Sequence, residues 1–472
     1  MEILSSTFIA AAMIGTLLVL GLRRGLWMFF AMMPLGAAAA FNMPAVGNAS
    51  FGIKELAVIA VFGMVFLRPG GPDSVIGTVR PGQPGCIALV LFVWCILSAF
   101  WVPAVFRGAT EVFTISRSAN ANGIRSIPLG PTTGNLTQLF TLSISLAAFL
   151  TLATFSRLNP DPRQIDRAIA VATGLNLALG LLDLLSAAGG FEIVMEPLRT
   201  ANYTILWEAR MMGLKRMIGA FPEASSFGSF SMGLFGFWLH RYLVEPKSRL
   251  ALVMLLIALF CLLRSTSSAA YVGLVLFVAV YVAYGSATRM RSVLQRQVVV
   301  TAIIGALLLW HAVILVYASY ELVEPVAAFL NETVFEKLGT DSGVERMSWN
   351  AQALRNLTDT WLIGAGLGSA RASNWLLSTL GSLGVPGTLL FIGFLASVFA
   401  MRVRGGRGSE AQMTVSALKW GCAATLATEL LIASTPNLGV FFFAMAGLAT
   451  GLARSTAAEP GRYTPVPRGH PA

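Results

Sequence analysis

A group of charged side chains directly precedes one of the hydrophobic runs, and it combines cations with a carboxylate. Arg210, Lys215 and Arg216 come shortly before Glu223. Guanidinium and ammonium groups bind phosphate, and a carboxylate beside a bound phosphate can transfer a proton. Pro222 suits the first position of a helix, which would place Glu223 in the first turn, where the helix dipole favours an anion. Glu223 is therefore either a helix-stabilising carboxylate or an acid or base at a membrane surface.

A second charged segment, residues 342–387, is the only long polar insert in an otherwise hydrophobic chain. Ser342 and Glu345 have the spacing of a capping box, which favours a structural over a catalytic role for Glu345. Capping does not explain Arg346, which is predicted to share a helical face with Trp349. A guanidinium at the head of such a helix suits a bidentate contact with phosphate, and an ordinary solvated arginine is the alternative.

The same segment contains the glycine run Gly364, Gly366 and Gly368. As a nucleotide-binding signature this run is weak, because no strand precedes it and the outer face of a membrane has no pool of ATP. Glycine tolerates backbone conformations that other residues avoid, so the run predicts a tight return of the chain to the membrane.

The positions of the histidines and acidic residues limit the chemistry that the outer loops could perform. The three histidines, at positions 240, 311 and 470, all lie outside the predicted outer loops. A histidine base and a histidine metal site on that face are thereby excluded. No pair of acidic residues of the D-x-D kind occurs in those loops, so no bound metal is expected. Metal-free chemistry would use arginines for charge and a carboxylate for proton transfer.

The composition indicates the class of protein that must position these residues. Of 472 residues, 56% are hydrophobic and only 12% are charged. Many continuous apolar runs approach the roughly 20 residues that cross a bilayer as a helix, and they lack the alternation of a β-barrel. The fold predicted is all-α: a polytopic membrane protein of about 12–14 transmembrane helices. Residues 1–455 form a single transmembrane domain, and the Pro-, Gly- and Arg-rich residues 456–472 a disordered cytoplasmic tail.

The distribution of basic residues predicts the orientation of the spans. Thirteen spans are expected, at 4–22, 25–41, 53–68, 86–106, 135–156, 164–187, 224–243, 249–264, 268–286, 298–319, 376–401, 412–433 and 437–453. With the Arg23–Arg24 turn inside, the inner loops carry nineteen of the 33 Lys and Arg residues and the outer side thirteen. Short cytoplasmic loops are enriched in Lys and Arg, so the net charge of +11 reflects topology and not binding of nucleic acid.

All three long loops then lie outside, at 107–134, 188–223 and 320–375. Loops of this length on one face indicate a site at the outer surface, whereas a transporter more often places its site near the bilayer midplane. Asp183, Arg264 and Glu429 are predicted in the outer halves of spans. Such groups face a cavity or pair with one another, and the sequence does not distinguish these outcomes.

Four short motifs share an order along the chain and a predicted side of the membrane. They are Arg216 to Phe221 (R-x-x-G-x-F), Ser342 to Trp349, Gly364 to Ser369, and Ser373-Asn374 followed after nine residues by G-x-x-G at 384–387. Together they resemble the superfamily of O-antigen ligases and Wzy-type polysaccharide polymerases. The sequence departs from the family pattern twice: Ser373 stands where the family usually has histidine, and the arginine of the second motif is displaced to Arg346.

The resemblance implies a GT-C-like, metal-independent glycosyltransferase without a cofactor. Its donor would be a glycan on undecaprenyl pyrophosphate, and a sugar hydroxyl would attack the anomeric carbon. Arg216 and Arg346 would be catalytic, binding the pyrophosphate and stabilising its charge. Glu223 would replace the missing histidine as the base, with Asp341 and Asp359 as alternatives. Further substrate contacts are expected from Lys215, Arg210, Trp349, Ser373, Asn374 and Arg264.

The run Phe221–Ser225 favours a polymerase of O-antigen or exopolysaccharide repeat units over a ligase that transfers glycan to lipid A-core. A solute transporter is the alternative from another class. The partners expected are a lipid-linked oligosaccharide, membrane lipid, a chain-length regulator and a flippase, and no nucleic acid. The expected location is the bacterial inner membrane, with multiple spans and the active site facing the periplasm.

Overall fold

The structure is a computed structural model of the chain. It describes residues 2–43, 49–115, 124–203, 205–206, 208, 210–211, 214–287, 341–403 and 409–455. The span expected at 298–319, residues 320–340 of the longest expected loop and the expected tail at 456–472 lie outside these residues.

Helices dominate the described residues. In chain order they are α1 (Ser5–Ala31), α2 (Ile53–Phe66), α3 (Gly71–Ile76), α4 (Pro84–Phe100), α5 (Val102–Val105), α6 (Thr133–Leu158), α7 (Pro162–Gly189), α8 (Ala224–Val244), α9 (Arg249–Arg264), α10 (Ser268–Ala287), α11 (Asp341–Asp359), α12 (Trp375–Ala400), α13 (Glu410–Ile432) and α14 (Gly439–Ala453). A 3₁₀ segment covers Glu192–Leu198. Three antiparallel two-stranded ribbons complete the set: β1–β2 (Ala39–Met43, Ala49–Gly52), β3–β4 (Glu111–Ile115, Ile124–Pro128) and β5–β6 (Arg210–Met211, Leu214–Lys215).

Seven helices within the described part of the chain are long and apolar enough to cross a membrane. They are Ser5–Ala31, Pro84–Val105, Thr133–Leu158, Pro162–Gly189, Ser268–Gly285, Trp375–Ala400 and Glu410–Ile432. The expected spans at 53–68, 224–243, 249–264 and 437–453 also correspond to helices, namely α2, α8, α9 and α14. The prediction of a mostly helical, multi-pass membrane protein is confirmed.

The first helix contains a break at Gly21, whose φ of 67° and ψ of 157° are not helical. A straight helix of 27 residues would be about 40 Å long, yet Ser6 Oγ donates to the Ala39 carbonyl at 2.5 Å. The residues between Ala31 and Ala39 can span only about 28 Å, so the second part of α1 folds back towards the first. Two segments were expected here, at 4–22 and 25–41, but the second is helical only to Ala31, because β1 begins at Ala39.

The helices that carry the site pack closely through small residues. A Cβ atom on Gly236 of α8 would lie 2.6 Å from the Trp420 carbonyl of α13, and one on Gly451 of α14 would lie 2.2 Å from the Ala153 carbonyl of α6. Membrane helices associate largely through such close backbone approach, since lipid supplies no hydrophobic drive between them. The middle of α8 is thereby held against the middle of α13.

Contacts between loops define two ends of the molecule. At one end, here called the site end, Gln352 of α11 donates to the Glu111 carbonyl of β3 at 2.6 Å. At the other, the basic end, Arg163 at the start of α7 lies 3.0 Å from Glu410 at the start of α13. Loops predicted to share one side of the membrane therefore meet in the structure.

Candidate functional site

A buried carboxylate organises the loop that precedes α8. Asp183 lies near the end of α7, and its side chain is 0% exposed. It pairs with Arg199 at 2.5 Å and with Lys215 at 2.8 Å. Its second oxygen accepts hydrogen bonds from the backbone N–H groups of Ile218 and Gly219, at 2.9 and 3.1 Å. A buried charge needs such compensation, and the four donors fix the loop on both sides of residue 216.

Arg216 is held at the site end by backbone contacts. One of its terminal nitrogens donates to the Thr266 carbonyl, between α9 and α10, at 3.1 Å. Beside it, Arg264 donates to the carbonyl of Lys215 at 2.9 Å. The Nε atom of Arg216 is buried and has no hydrogen-bond partner among the described residues. Its guanidinium is thus positioned with a donor to spare.

Two of the residues predicted to be catalytic, Glu223 and Arg346, lie within electrostatic range of the third, Arg216. Burial lowers the pKa of Arg216, the nearby Glu223 carboxylate raises it, and the charge of Arg346 lowers it further. An arginine stays protonated at physiological pH under such a perturbation. Two like charges therefore face one region, which a bound anion would stabilise.

Glu223 is the residue immediately before α8, which begins at Ala224. The expectation that Pro222 opens the helix and that Glu223 lies in its first turn is wrong, because the backbone of Glu223 is extended, with a φ of −156° and a ψ of 163°. Its carboxylate caps no backbone N–H of the helix. It instead accepts a hydrogen bond from the Ser225 hydroxyl. Helix capping therefore does not account for this carboxylate.

Arg346 and Trp349 lie near the start of α11. The helix predicted there is confirmed, although it already includes Asp341, so Ser342 does not occupy the capping position expected of it. The side chain of Arg346 is exposed. The indole Nε1 of Trp349 is buried without a hydrogen-bond partner in the described part of the chain. Buried donors of this kind are rare and call for an explanation.

The glycine run makes the tight turns that the sequence predicts. Gly364, Gly366 and Gly368 have φ values of 88°, 97° and 87°. A Cβ atom would lie 2.5 Å from the Gly384 nitrogen if placed on Gly364, and 2.3 Å from the Gly134 carbonyl if placed on Gly368. The run therefore joins α6 and α12 by backbone contact.

A break in α12 receives this loop. Gly384 interrupts the helix with a φ of 66° and a ψ of −171°. The carbonyls of Gly381 and Ser382 then accept hydrogen bonds from the N–H groups of Ala365 and Gly366, at 2.7 and 3.0 Å. Groups released by a broken helix must find partners at membrane depth. The G-x-x-G of the fourth motif thus has a structural role in docking the loop after α11.

The other predicted binding residues lie around this framework. Asn374 caps α12 by accepting from Leu377 N–H at 3.1 Å, and its amide donates to the Leu430 carbonyl of α13 at 2.6 Å. The Ser373 N–H donates to the Asn350 side chain at 2.8 Å. Arg210 is exposed on β5, where it pairs with Lys215. That these residues, and Arg264, contact substrate stays a prediction.

Glu429, near the end of α13, lines a cavity of about 210 Å³ together with Pro222, the residue before Glu223. Ser229 of α8 donates to its Oε1 atom at 2.5 Å. The Glu223 and Glu429 carboxyl groups are close enough to interact electrostatically. The choice that the sequence left open is thereby resolved: Asp183 pairs internally, and Glu429 lines a cavity. In the sequence, Glu429 was recognisable as a carboxylate inside an apolar run.

Comparison of the chain with protein-family models and with curated proteins finds no match. The chemistry therefore has to be argued from the geometry. Two guanidinium groups from distant segments interact electrostatically, one of them and a nearby indole have unpaired buried donors, and the Glu223 carboxylate acts on both Arg216 and Glu429. This arrangement can bind a doubly charged anion next to a group that accepts a proton.

Proposed function

We propose that the chain is a membrane glycosyltransferase that joins lipid-pyrophosphate-linked oligosaccharide repeat units, as a polysaccharide polymerase does. Arg216 and Arg346 bind the pyrophosphate of the donor, and Glu223 accepts a proton from the acceptor hydroxyl. The reaction takes place at the site end, on the periplasmic face of a bacterial inner membrane, within a GT-C-like fold.

The observation that carries this proposal is the mutual approach of Arg216, Arg346 and Glu223. Arg216 belongs to the loop before α8 and Arg346 to α11, yet the charge of Arg346 acts on Arg216. Like charges brought together in a partly buried region are unfavourable unless an anion binds between them. A pyrophosphate supplies that anion, and paired guanidinium groups are suited to phosphate oxygens.

The proposed step balances without a metal. The acceptor oxygen forms a bond to the anomeric carbon of the donor while the bond from that carbon to the pyrophosphate oxygen breaks. The proton of the acceptor hydroxyl moves to the Glu223 carboxylate, and the electron pair of the broken bond remains on the pyrophosphate. Negative charge grows on that leaving group, where Arg216 and Arg346 stabilise it.

The two unpaired donors support the same assignment. Arg216 Nε and Trp349 Nε1 are buried without partners among the residues described. An unsatisfied buried donor costs about 1–3 kcal/mol, and a phosphate oxygen would satisfy it. Both donors belong to segments that carry the charge cluster, so a single ligand can serve both.

The proposal is tested with Arg216→Ala and Arg346→Ala, each purified and also expressed in cells that depend on this chain for polymer. Each variant should remain in the membrane, lose polymer, and bind undecaprenyl pyrophosphate at least about tenfold more weakly, because a charge-assisted contact contributes about 1.5–3 kcal/mol. The matched control is Arg355→Ala. Arg355 is an exposed arginine nine residues along α11 from Arg346, on the opposite face of the helix.

Normal chain lengths in both variants, or equal losses in the Arg355→Ala control, would refute the proposal. The acceptor distinguishes a polymerase from a ligase on the same scaffold. A polymerase deletion leaves single repeats attached to lipid A-core, whereas a ligase deletion leaves none attached.

A further inference from the structure

The cavity beside Glu223 differs in character from the arginine cluster. Its wall contains four phenylalanine rings and one carboxyl group from the membrane interior, together with small hydroxyl side chains. The rings are Phe221, Phe230, Phe441 and Phe442. Aromatic walls with few polar groups are typical of small-molecule sites, and the volume of about 210 Å³ could hold about seven waters at liquid density.

The charges of the cavity lining do not favour a phosphate. Glu429 lines the cavity, as does Pro222, which directly precedes Glu223. Lys54 is the single lining cation among the described residues, and its Nζ already lies 3.9 Å from Glu55. A lining with one carboxyl group and one cation that is already paired offers a phosphate little, so the donor pyrophosphate belongs with the arginines and a different ligand belongs here.

The polar groups of the lining favour a neutral ligand that carries hydroxyls. Glu429 Oε1 accepts from Ser229, while Oε2 has no hydrogen-bond donor within the part of the chain that the structure describes. Tyr203 and Ser226 add hydroxyls to the same lining. This carboxyl oxygen is therefore open to a hydrogen-bond donor of a ligand in the cavity.

We propose that this cavity holds one neutral pyranose ring, the terminal sugar of the acceptor chain, with Glu429 accepting hydrogen bonds from its hydroxyls. The inference rests on the proposed function, which supplies the donor on the opposite side of Glu223. The C–H faces of the sugar ring pack on the phenylalanine side chains, and the hydroxyls meet Glu429 and the lining hydroxyls. Glu223 then lies between the two substrates, where the transferred proton is released.

The proposed sugar site also agrees with the order of the segments along the chain around α8. Phe221 and Pro222, just before α8, and Ser226, in its first turn, line the cavity, and the loop that carries Arg216 leads directly into them. Close packing of α8 on α13 keeps Glu429 opposite Ser229. The specificity for the acceptor sugar would therefore depend on α8, α13 and the segment before α14.

The test uses saturation-transfer NMR on the full chain in detergent, with methyl pyranosides of glucose, galactose, mannose, rhamnose and N-acetylglucosamine as probes. Ser226→Phe fills the cavity, and Glu429→Gln keeps its shape while removing the charge. Thr137→Phe, at an exposed position of α6, is the matched control. At least one pyranoside should bind the wild type and the control, bind Glu429→Gln more weakly, and not bind Ser226→Phe.

In transfer assays Ser226→Phe and Glu429→Gln should raise the acceptor KM at least about tenfold. Both should leave binding of undecaprenyl pyrophosphate unchanged. A pyranoside signal that persists in Ser226→Phe, or the absence of any signal in the wild type, overturns the inference. If Ser226→Phe fails to fold, Glu429→Gln decides: an unchanged acceptor KM rejects the assignment. Arg216→Ala separates the two proposals, because it should weaken donor binding at least about tenfold and keep the pyranoside signal.

Discussion

Glu223 illustrates how the role of a residue depends on its neighbours. Its position before a helix suggested a structural carboxylate, yet it bonds the Ser225 hydroxyl and no backbone N–H of α8. Its charge acts on both Arg216 and Glu429. The neighbours of Glu223 thus include a cation and a second carboxyl group.

Glu223→Gln should lower kcat by about 10²–10⁴-fold, because the amide cannot accept a proton but has the same shape. Binding of undecaprenyl pyrophosphate should change little. Transfer kinetics with a saturating donor measure the effect. The control is Glu196→Gln, an exposed carboxylate in the loop that follows α7. Full activity of Glu223→Gln would assign the proton transfer elsewhere, with Asp359 the next residue to substitute.

Arg216→Lys should make donor binding dependent on pH in the alkaline range. Burial has the largest effect on the cation at this position and lowers its pKa. The Glu223 carboxylate raises that pKa, and the charge of Arg346 lowers it. Arginine stays charged, but lysine has an ordinary pKa of about 10.4, and the same environment moves it lower. The charged form is lost as the pH rises through that lowered pKa, so the affinity of the variant for undecaprenyl pyrophosphate should decrease between pH 7 and 10.

The comparison for this prediction is wild-type protein and Arg355→Lys measured over the same pH range by equilibrium binding. Both should retain their affinity, since neither changes a cation beside the donor. A flat profile for Arg216→Lys would mean that residue 216 does not bind the pyrophosphate or that a lysine there is not desolvated.

Among the elements, α12 shows how a broken helix builds a docking surface. The break at Gly384 lets two carbonyls accept hydrogen bonds from the glycine loop. Gly364 approaches so closely that a Cβ atom would overlap the backbone of α12. The loop in turn connects α11, which carries Arg346, to the membrane domain. The position of Arg346 therefore depends on contacts far from its own charge.

Gly384→Ala should destabilise the protein by more than about 1–2 kcal/mol, the usual cost of a left-handed conformation for one residue. A Cβ atom here would also lie 2.2 Å from the Ile363 carbonyl. Thermal unfolding in detergent measures the loss, and donor binding should weaken as α11 is displaced. Gly174→Ala in α7 is the control, since no atom lies within 4 Å of its Cβ position. Equal unfolding temperatures for the two variants would contradict this account.

At the scale of the whole molecule, the sequence predicts what depends on local pattern. Continuous apolar runs predict the helices, and the glycine run predicts tight turns, because hydrophobicity and glycine conformation are properties of a few neighbouring residues. The turn in α1 was expected at Arg23–Arg24 and lies at Gly21. Basic residues mark the end of a span, but they do not determine the residue at which the chain changes direction.

Pairing between distant segments could not be predicted in this way. Asp183 and Lys215 form a buried ion pair across the site loop, but no periodicity links a carboxylate in α7 to a lysine after it. The shared order of the motifs suggested that Arg216 and Arg346 act together, and the structure brings them within electrostatic range. The cavity at Glu429 needs the packing of α8 on α13, which depends on glycine positions in both helices.

The orientation of the molecule provides the last prediction. The site end should face the periplasm, because the opposite end carries the loops richer in Lys and Arg. Cys95, Cys261 and Cys422 are buried, so Cys86→Ser gives a background with little reactive thiol. On that background, Glu345→Cys near the start of α11 should react with a membrane-impermeant maleimide in spheroplasts.

Arg163→Cys at the basic end should react only after the membrane is opened, since its side chain is 76% exposed and the basic end is predicted to face the cytoplasm. The reverse pattern would place Arg216 and Arg346 on the cytoplasmic side. A donor already carried to the outer leaflet could not then reach them, and a cytoplasmic activity would have to replace polymerisation. The orientation therefore tests the chemistry as well as the topology, because the same two arginines must be both close together and on the side where the donor is presented.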